Sequence, residues 1–178
     1  MPKIFITRLI PEIGLNLLKQ QPGFEVEVSD FDGVLPRETL LQKVKGADAI
    51  LSLLTDKMNA ELFDAAGSQL KIVANYAVGY DNIDVKAATD RKIIITNTPD
   101  VLTESVAEHT IALILAIAHR LVEADQFMRD GKYVGWAPML FLGNDLAGKT
   151  LGLVGLGRIG AMVAKRMYDG FEMKILYY

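Results

Sequence analysis

The chain has 178 residues, of which 51% are hydrophobic and 23% charged, enough apolar material for a folded core. Its 22 acidic and 19 basic residues leave a net charge of −3, which gives no electrostatic footprint for nucleic acid. There is no cysteine, so neither a disulfide framework nor thiolate chemistry is available, a composition that suits a cytoplasmic location.

The N-terminal MPKIFITRLI holds too short an apolar stretch for a signal peptide. From there strand and helix patterns alternate. Lys3 to Thr7 reads as a strand, Glu12 to Gln20 as a helix, Phe24 to Val28 as a strand, and Arg37 to Lys45 as a helix behind Pro36. Ala49 to Leu53 is the next strand, followed by a helix around Asn59 to Ala66, a strand from Lys71 to Ala74, a helix from Val85 to Asp90 and a strand from Lys92 to Thr96. Such alternation implies parallel pairing through helical crossovers, so residues 1 to about 99 are expected to form a doubly wound, flavodoxin-like α/β domain.

A single long helix is predicted from Thr103 through Arg129, with Glu104 and Glu108 in its first turns and a stop at Asp130-Gly131. Its longest apolar run, Ile111 to Ala118, is far short of the roughly 18 residues that suggest a membrane span, so no membrane partner is expected. Lys132 to Leu146 is irregular and holds Trp136, the only tryptophan, which is read as a core or interface anchor. Strands at Thr150 to Val154 and Met173 to Tyr178 flank a helix starting at Arg158. These two strands would be buried on both faces in a complete parallel sheet. An open edge carrying Ile175, Leu176, Tyr177 and Tyr178 invites aggregation or pairing. The last thirty residues are therefore expected to be disordered, rearranged or held by a partner.

The strongest motif is LGLVGLGRIG, residues 151 to 160: an apolar strand running into a GxGxxG turn that opens a helix. Gly155 permits the tight turn, Gly157 lets backbone approach a pyrophosphate, and Gly160 allows the helix to pack on the strand. The anion then sits at a helix N-terminus. This reads as the start of a Rossmann dinucleotide-binding domain. The acidic residue that would grip the ribose is expected about 20 positions on, at or beyond Tyr178, so the motif does not separate NAD from NADP. No segment has metal-ligand spacing. Asp81 and Asp84 follow a turn and open a helix, which makes capping their expected role. Asn97-Thr98-Pro99 is read as a hinge; of the only two histidines, His109 is read as a packing or hydrogen-bonding residue at the domain junction and His119 as part of a solvated or intersubunit helix face.

Three motifs, NYAVGYDNID (Asn75 to Asp84), TNTPDVLTESVAEHT (Thr96 to Thr110) and GKTLGLVGLGRIG (Gly148 to Gly160), occur in an order and spacing that resemble the D-isomer-specific 2-hydroxyacid dehydrogenases, and most of all their glyoxylate/hydroxypyruvate reductase branch. The resemblance covers the whole chain but about the first half of a family member. It implies a substrate-binding domain over 1–99, lacking helices normally contributed by the far C-terminus. Over 100–178 it implies an interdomain helix, a dimerisation arm (Leu121 to Leu142) and the first β-α-β of an NAD(P)-binding domain. The implied activity is reversible hydride transfer between a nicotinamide and a 2-oxo or 2-hydroxy acid, in a homodimer.

The same resemblance implies that backbone N–H groups of Ala77, Val78 and Gly79 hold the substrate carboxylate, and that Trp136 reaches toward a partner's substrate pocket. Val106, Gly155, Leu156, Gly157, Arg158, Ile159 and Gly160 would face the cofactor. Val106 stands where many relatives have threonine. The family's catalytic Arg, Glu and His match no segment here, so the chain is expected to hold no catalytic residue and to be inactive alone. The alternative is a non-enzymatic binding or dimerisation module.

Overall fold

The computed structural model describes residues 1–178, which divide into two compact units, Met1–Pro99 and Asp100–Tyr178. The first holds five strands, β1 (Lys3–Ile6), β2 (Glu25–Val28), β3 (Ala49–Ser52), β4 (Ile72–Asn75) and β5 (Ile94–Thr96), and four helices, α1 (Glu12–Lys19), α2 (Arg37–Lys43), α3 (Ala60–Ala66) and α4 (Val85–Asp90). Its strands form one parallel sheet in the order β2-β1-β3-β4-β5, the doubly wound order anticipated from the alternating pattern.

Two-residue periodicity sorts the strand side chains onto two faces. Phe5, Ile50 and Val73 lie in register across the sheet and pack under α2, α3 and α4 with Leu40, Val44, Leu62, Phe63, Ala87 and Ala88. On the opposite face Ile4 and Ile6 pack with Ile10 and Leu15 of the α1 region, supported by Val26, Val28 and Leu51. That second face is less completely covered: Ile94 on β5 is 60% exposed. Local chemistry sets the helix starts. Asn59 Oδ1 accepts from the Leu62 amide at 3.3 Å to cap α3, and Asp84 Oδ1 accepts from the Ala87 amide at 2.9 Å to cap α4. Asp84 is thus a cap, while Asp81 is exposed and caps nothing.

The second unit holds α5 (Thr103–Ala118), α6 (Leu121–Arg129), β6 (Thr150–Leu153), α7 (Arg158–Phe171) and β7 (Lys174–Tyr177). The single helix expected over Thr103 to Arg129 is in fact two, bent by 65° where Arg120 adopts a left-handed φ of 54°. The cause is a long-range contact. The Asn144 amide donates to the Ala118 carbonyl at 2.8 Å, taking the acceptor that a continuing helix would offer to Val122. Arg120 then pairs with Glu123 and lies over the Phe141 ring, whose edge meets Phe127 at a centroid distance of 5.1 Å. Neither segment is long and apolar enough as a single helix to cross a membrane.

Residues 149–178 form regular elements. β6 and β7 pair in parallel, Leu151 opposite Ile175, and α7 folds back over them. Ala107, Val163, Met167 and Met173 close a small core with Ile111, Ile114, Leu153 and Ile159, so α5 covers the helix that covers the strands. Arg166 of α7 reaches Glu108 at 3.5 Å and also pairs with Glu104, giving those two acids partners on a neighbouring helix. Val154 and Leu176 remain exposed on the other side, and Tyr177, on the covered face at the strand end, is exposed as well.

Phe63 is 1% exposed in the larger core. Its truncation, Phe63→Ala, is expected to lower unfolding free energy by about 3–5 kcal/mol in urea denaturation. A change below about 1 kcal/mol would contradict the packing described.

Candidate functional site

Within the first unit, the carboxyl ends of the strands carry polar residues in a mostly apolar sheet. Thr7, Ser52, Asp56 and Asn75 are all nearly or fully buried, and no buried side-chain nitrogen or oxygen lacks a partner. Thr7 Oγ1 donates to Asp56 Oδ2 at 2.5 Å, and the same oxygen accepts from the Leu53 amide at 2.9 Å. The Asn82 side-chain amide donates to the carbonyls of Asp56 (3.0 Å) and Leu53 (3.2 Å). Asn75 accepts from Ser52 Oγ at 3.1 Å and exchanges longer contacts with the Asn82 amide. The network ties the loops after β1, β3 and β4 together.

The loop after β4 is anchored through its carbonyls. The Thr98 amide donates to the Ala77 carbonyl at 2.9 Å, Asn97 Nδ2 to the Val78 carbonyl at 2.8 Å, and Asn75 Nδ2 to the Gly79 carbonyl at 2.8 Å. Every peptide bond is trans, so C=O and the following N–H point opposite ways. Fixing three successive carbonyls turns the amides of Val78, Gly79 and Tyr80 away from the anchoring side, and none of the three donates to an acceptor in the chain. Consecutive unengaged amides of this kind can receive an anion. Ala77 is different from the expectation: its amide already donates to the Asn75 carbonyl at 2.8 Å, and the residue is 5% exposed. Its part in the loop is played through its carbonyl, and the amides left unengaged are those of Val78, Gly79 and Tyr80.

In the second unit, β6 runs into the glycine turn. Gly155 has φ +95°, a conformation open to glycine at little cost, and its amide bonds the Tyr178 carbonyl at 2.9 Å beside β7. A Cβ on Gly160 would lie 2.4 Å from the Gly155 carbonyl oxygen, so only glycine lets α7 approach the turn this closely. Around Gly157 a Cβ would meet nothing within 4 Å, which leaves the approach to the helix start open. Gly157 is also the N-cap of α7, with no side chain capping the first amides. A close backbone approach, an open mouth and uncapped amides at the positive end of a helix fit a pyrophosphate.

The other residues named from sequence fall as follows. Leu156 is partly exposed, whereas Ile159 packs into the small core, so only its backbone is available to a ligand. Arg158 Nε pairs with Asp100 at 2.8 Å, with both side chains largely exposed. Val106 lies on α5 at the edge of exposure. Trp136 is 82% exposed, which excludes it from the core of this chain. His109 and His119 are exposed on α5 and at its end and form no side-chain hydrogen bond. No group of His, Asp or Glu is arranged to hold a metal.

Sequence reasoning missed the buried network. Its signal was present, since a polar residue ends or directly follows each strand, Thr7, Ser29, Ser52, Asn75 and Thr96, and three of these, Thr7, Ser52 and Asn75, join the network.

Comparison with known proteins adds the family. The sequence profile described as D-isomer specific 2-hydroxyacid dehydrogenase, catalytic domain, matches residues 4–176. The chain belongs to that family. It is 54% identical to a glyoxylate reductase of Thermococcus kodakarensis over 99% of its own length and 53% of the relative's. A crystal structure of a Thermus thermophilus protein superposes with a TM-score of 0.91 at 44% identity, covering 98% of this chain and 55% of that one. An NADPH-dependent glyoxylate/hydroxypyruvate reductase from Sinorhizobium meliloti, solved with citrate, gives a TM-score of 0.77 at 34% identity, covering 99% and 54%. The chain spans about half the length of the curated relatives it matches.

The two glycines of the turn separate fold from ligand. Gly160→Ala gains up to ~1 kcal/mol in helix propensity but must push α7 off a backbone oxygen, so a net loss of about 1–3 kcal/mol is expected. Gly157→Ala should stay within about 0.5 kcal/mol of the parent. Thermal unfolding of both variants tests this, and equal stability of the two would contradict the close approach.

Proposed function

We propose that this chain carries the substrate-carboxylate site and the cofactor-phosphate site of an NAD(P)-dependent 2-hydroxyacid dehydrogenase that acts on glyoxylate, hydroxypyruvate or a similarly small 2-oxo acid. The observation that carries the reading is the presence, in one member of this family, of a nest of unengaged amides at Val78–Tyr80 and a glycine turn shaped for a pyrophosphate. The printed activity of the relatives, glyoxylate reductase, supports the substrate class.

In this reading Met1–Pro99 is the substrate-binding domain. The exposed Ile94 suits a face that further helices would cover. Asp100–Tyr178 supplies the first β-α-β of the cofactor domain. The amides of Val78 and Gly79, with Tyr80 beside them, hold the acid's carboxylate and so orient its C2 carbon. Gly155 to Gly160 hold the phosphates, with Arg158 close enough to the turn to share that charge. When bound, a nicotinamide supplies hydride to C2 of the oxo acid or accepts it from the hydroxy acid. The carbonyl oxygen must then gain a proton as hydride arrives. Unit Met1–Pro99 contains no histidine to provide it, and both histidines of the chain lie on or beside α5. In this reading no residue of the chain is assigned as the cation or the acid, and the chain alone is expected not to turn over. Val134, Trp136 and Met139, exposed after α6, suit a subunit interface in a homodimer, and a cysteine-free composition suits the cytoplasm.

The test is to mix the purified chain with NADH or NADPH and follow nicotinamide fluorescence, then add glyoxylate and follow absorbance. Saturable binding without glyoxylate-dependent oxidation is the expected result, with binding weakened about tenfold or more by Gly157→Ala. Oxidation well above a heat-killed sample would overturn the assignment of the acid and cation. Failure to bind either nucleotide would remove the cofactor site.

A further inference from the structure

Asn97 sits two residues before the boundary of its unit, where proline at 99 makes a hinge the obvious reading. Its side chain is engaged elsewhere. Nδ2 donates to the Val78 carbonyl at 2.8 Å, across 19 residues of chain, and that carbonyl receives no other hydrogen bond. The neighbouring carbonyls are held differently, Ala77 by a backbone amide and Gly79 by the buried Asn75. The peptide plane joining Val78 to Gly79 is thus the one whose orientation depends on a single, partly exposed side chain.

That plane decides where the Gly79 N–H points. In a trans peptide the N–H lies opposite the C=O, so anchoring the Val78 oxygen aims the Gly79 amide the other way. Gly79 has no Cβ to restrain its own rotation, and a Cβ there would meet only the Asp81 carboxylate at 3.9 Å. Without Asn97 the plane is free to rotate and exchange donor for acceptor. A carbonyl oxygen turned toward a bound carboxylate would repel it.

We propose that Asn97 is a positioning residue for the substrate carboxylate, acting through the Val78 carbonyl to hold the Gly79 amide in line. The inference rests on the reading of Val78–Tyr80 as the carboxylate site. It assigns a specific role to the residue at which the chain leaves the sheet, and it makes one of the three amides conditional on that residue.

The test uses the full chain labelled with nitrogen-15 and titrated with glyoxylate, observed by two-dimensional amide NMR. In the parent, the Val78, Gly79 and Tyr80 resonances should shift and saturate together. In Asn97→Ala the Kd should rise about tenfold and the Gly79 resonance should lose most of its response while Val78 and Tyr80 still move. Asn97→Leu, which fills the space without a donor, should behave as the alanine variant does, and Asn97→Gln, which retains an amide donor, should recover part of the Gly79 response. Binding within about twofold of the parent, with Gly79 responding normally in both donor-less variants, would overturn the proposal. So would collapse of the whole spectrum in both, because Asn97 would then be a general support of the fold. If the parent itself shows no response at 78–80, the carboxylate reading fails first, and the inference falls with it.

Discussion

The first unit depends on satisfying polar groups where its sheet ends. A parallel sheet packed on both faces has no water at hand for a stray hydroxyl or carboxylate, and an unpaired buried polar group costs about 1–3 kcal/mol. Here Thr7, Ser52, Asp56 and Asn75 are buried at adjoining strand ends and are satisfied by one another, by Asn82 and by loop backbone. The consequence is structural before it is chemical. Three loops that would otherwise move independently are bound into one rim, and the loop after β4 has its carbonyls drawn to the protein side. Planarity of the peptide does the rest, leaving a run of N–H groups with nothing in the chain to bind.

The second unit reaches an anion-ready arrangement by a different route. There the constraint is steric: the Gly155 carbonyl oxygen occupies the space that a Gly160 side chain would need, which draws the start of α7 against the turn. The first amides of α7 are uncapped by any side chain, because the N-cap residue is Gly157. One site therefore uses hydrogen bonds to orient amides, and the other uses the absence of side chains to expose them. Both arrangements offer backbone amides rather than charged side chains, which explains why neither announces itself through charged residues in the sequence.

Legibility followed the range of the interactions. Strands and most helices were readable because apolar runs, proline at helix entries, and Asn59 and Asp84 as caps act within a few residues. The glycine turn was readable for the same reason. The break between α5 and α6 was not, because no glycine or proline marks it; its cause is Asn144, which lies 26 residues beyond the carbonyl it takes. The packing of β6, α7 and β7 was also hidden, since it relies on α5 lying over α7 and on Arg166 reaching Glu104 and Glu108. Asn97 was visible only as a hinge residue, because its partner Val78 is distant in sequence. The polar residue ending or directly following each strand was the one cue to the buried network.

Amide hydrogen exchange of the chain without any ligand tests the central claim most directly. If the carbonyls after β4 are anchored as described, the amides of Val78, Gly79 and Tyr80 exchange quickly, while those of Tyr76 and Thr98, which donate to Ser52 and Ala77, exchange slowly. Slow exchange at all three of Val78, Gly79 and Tyr80 would mean that they already have acceptors inside the protein, and the carboxylate site would have to be sought elsewhere.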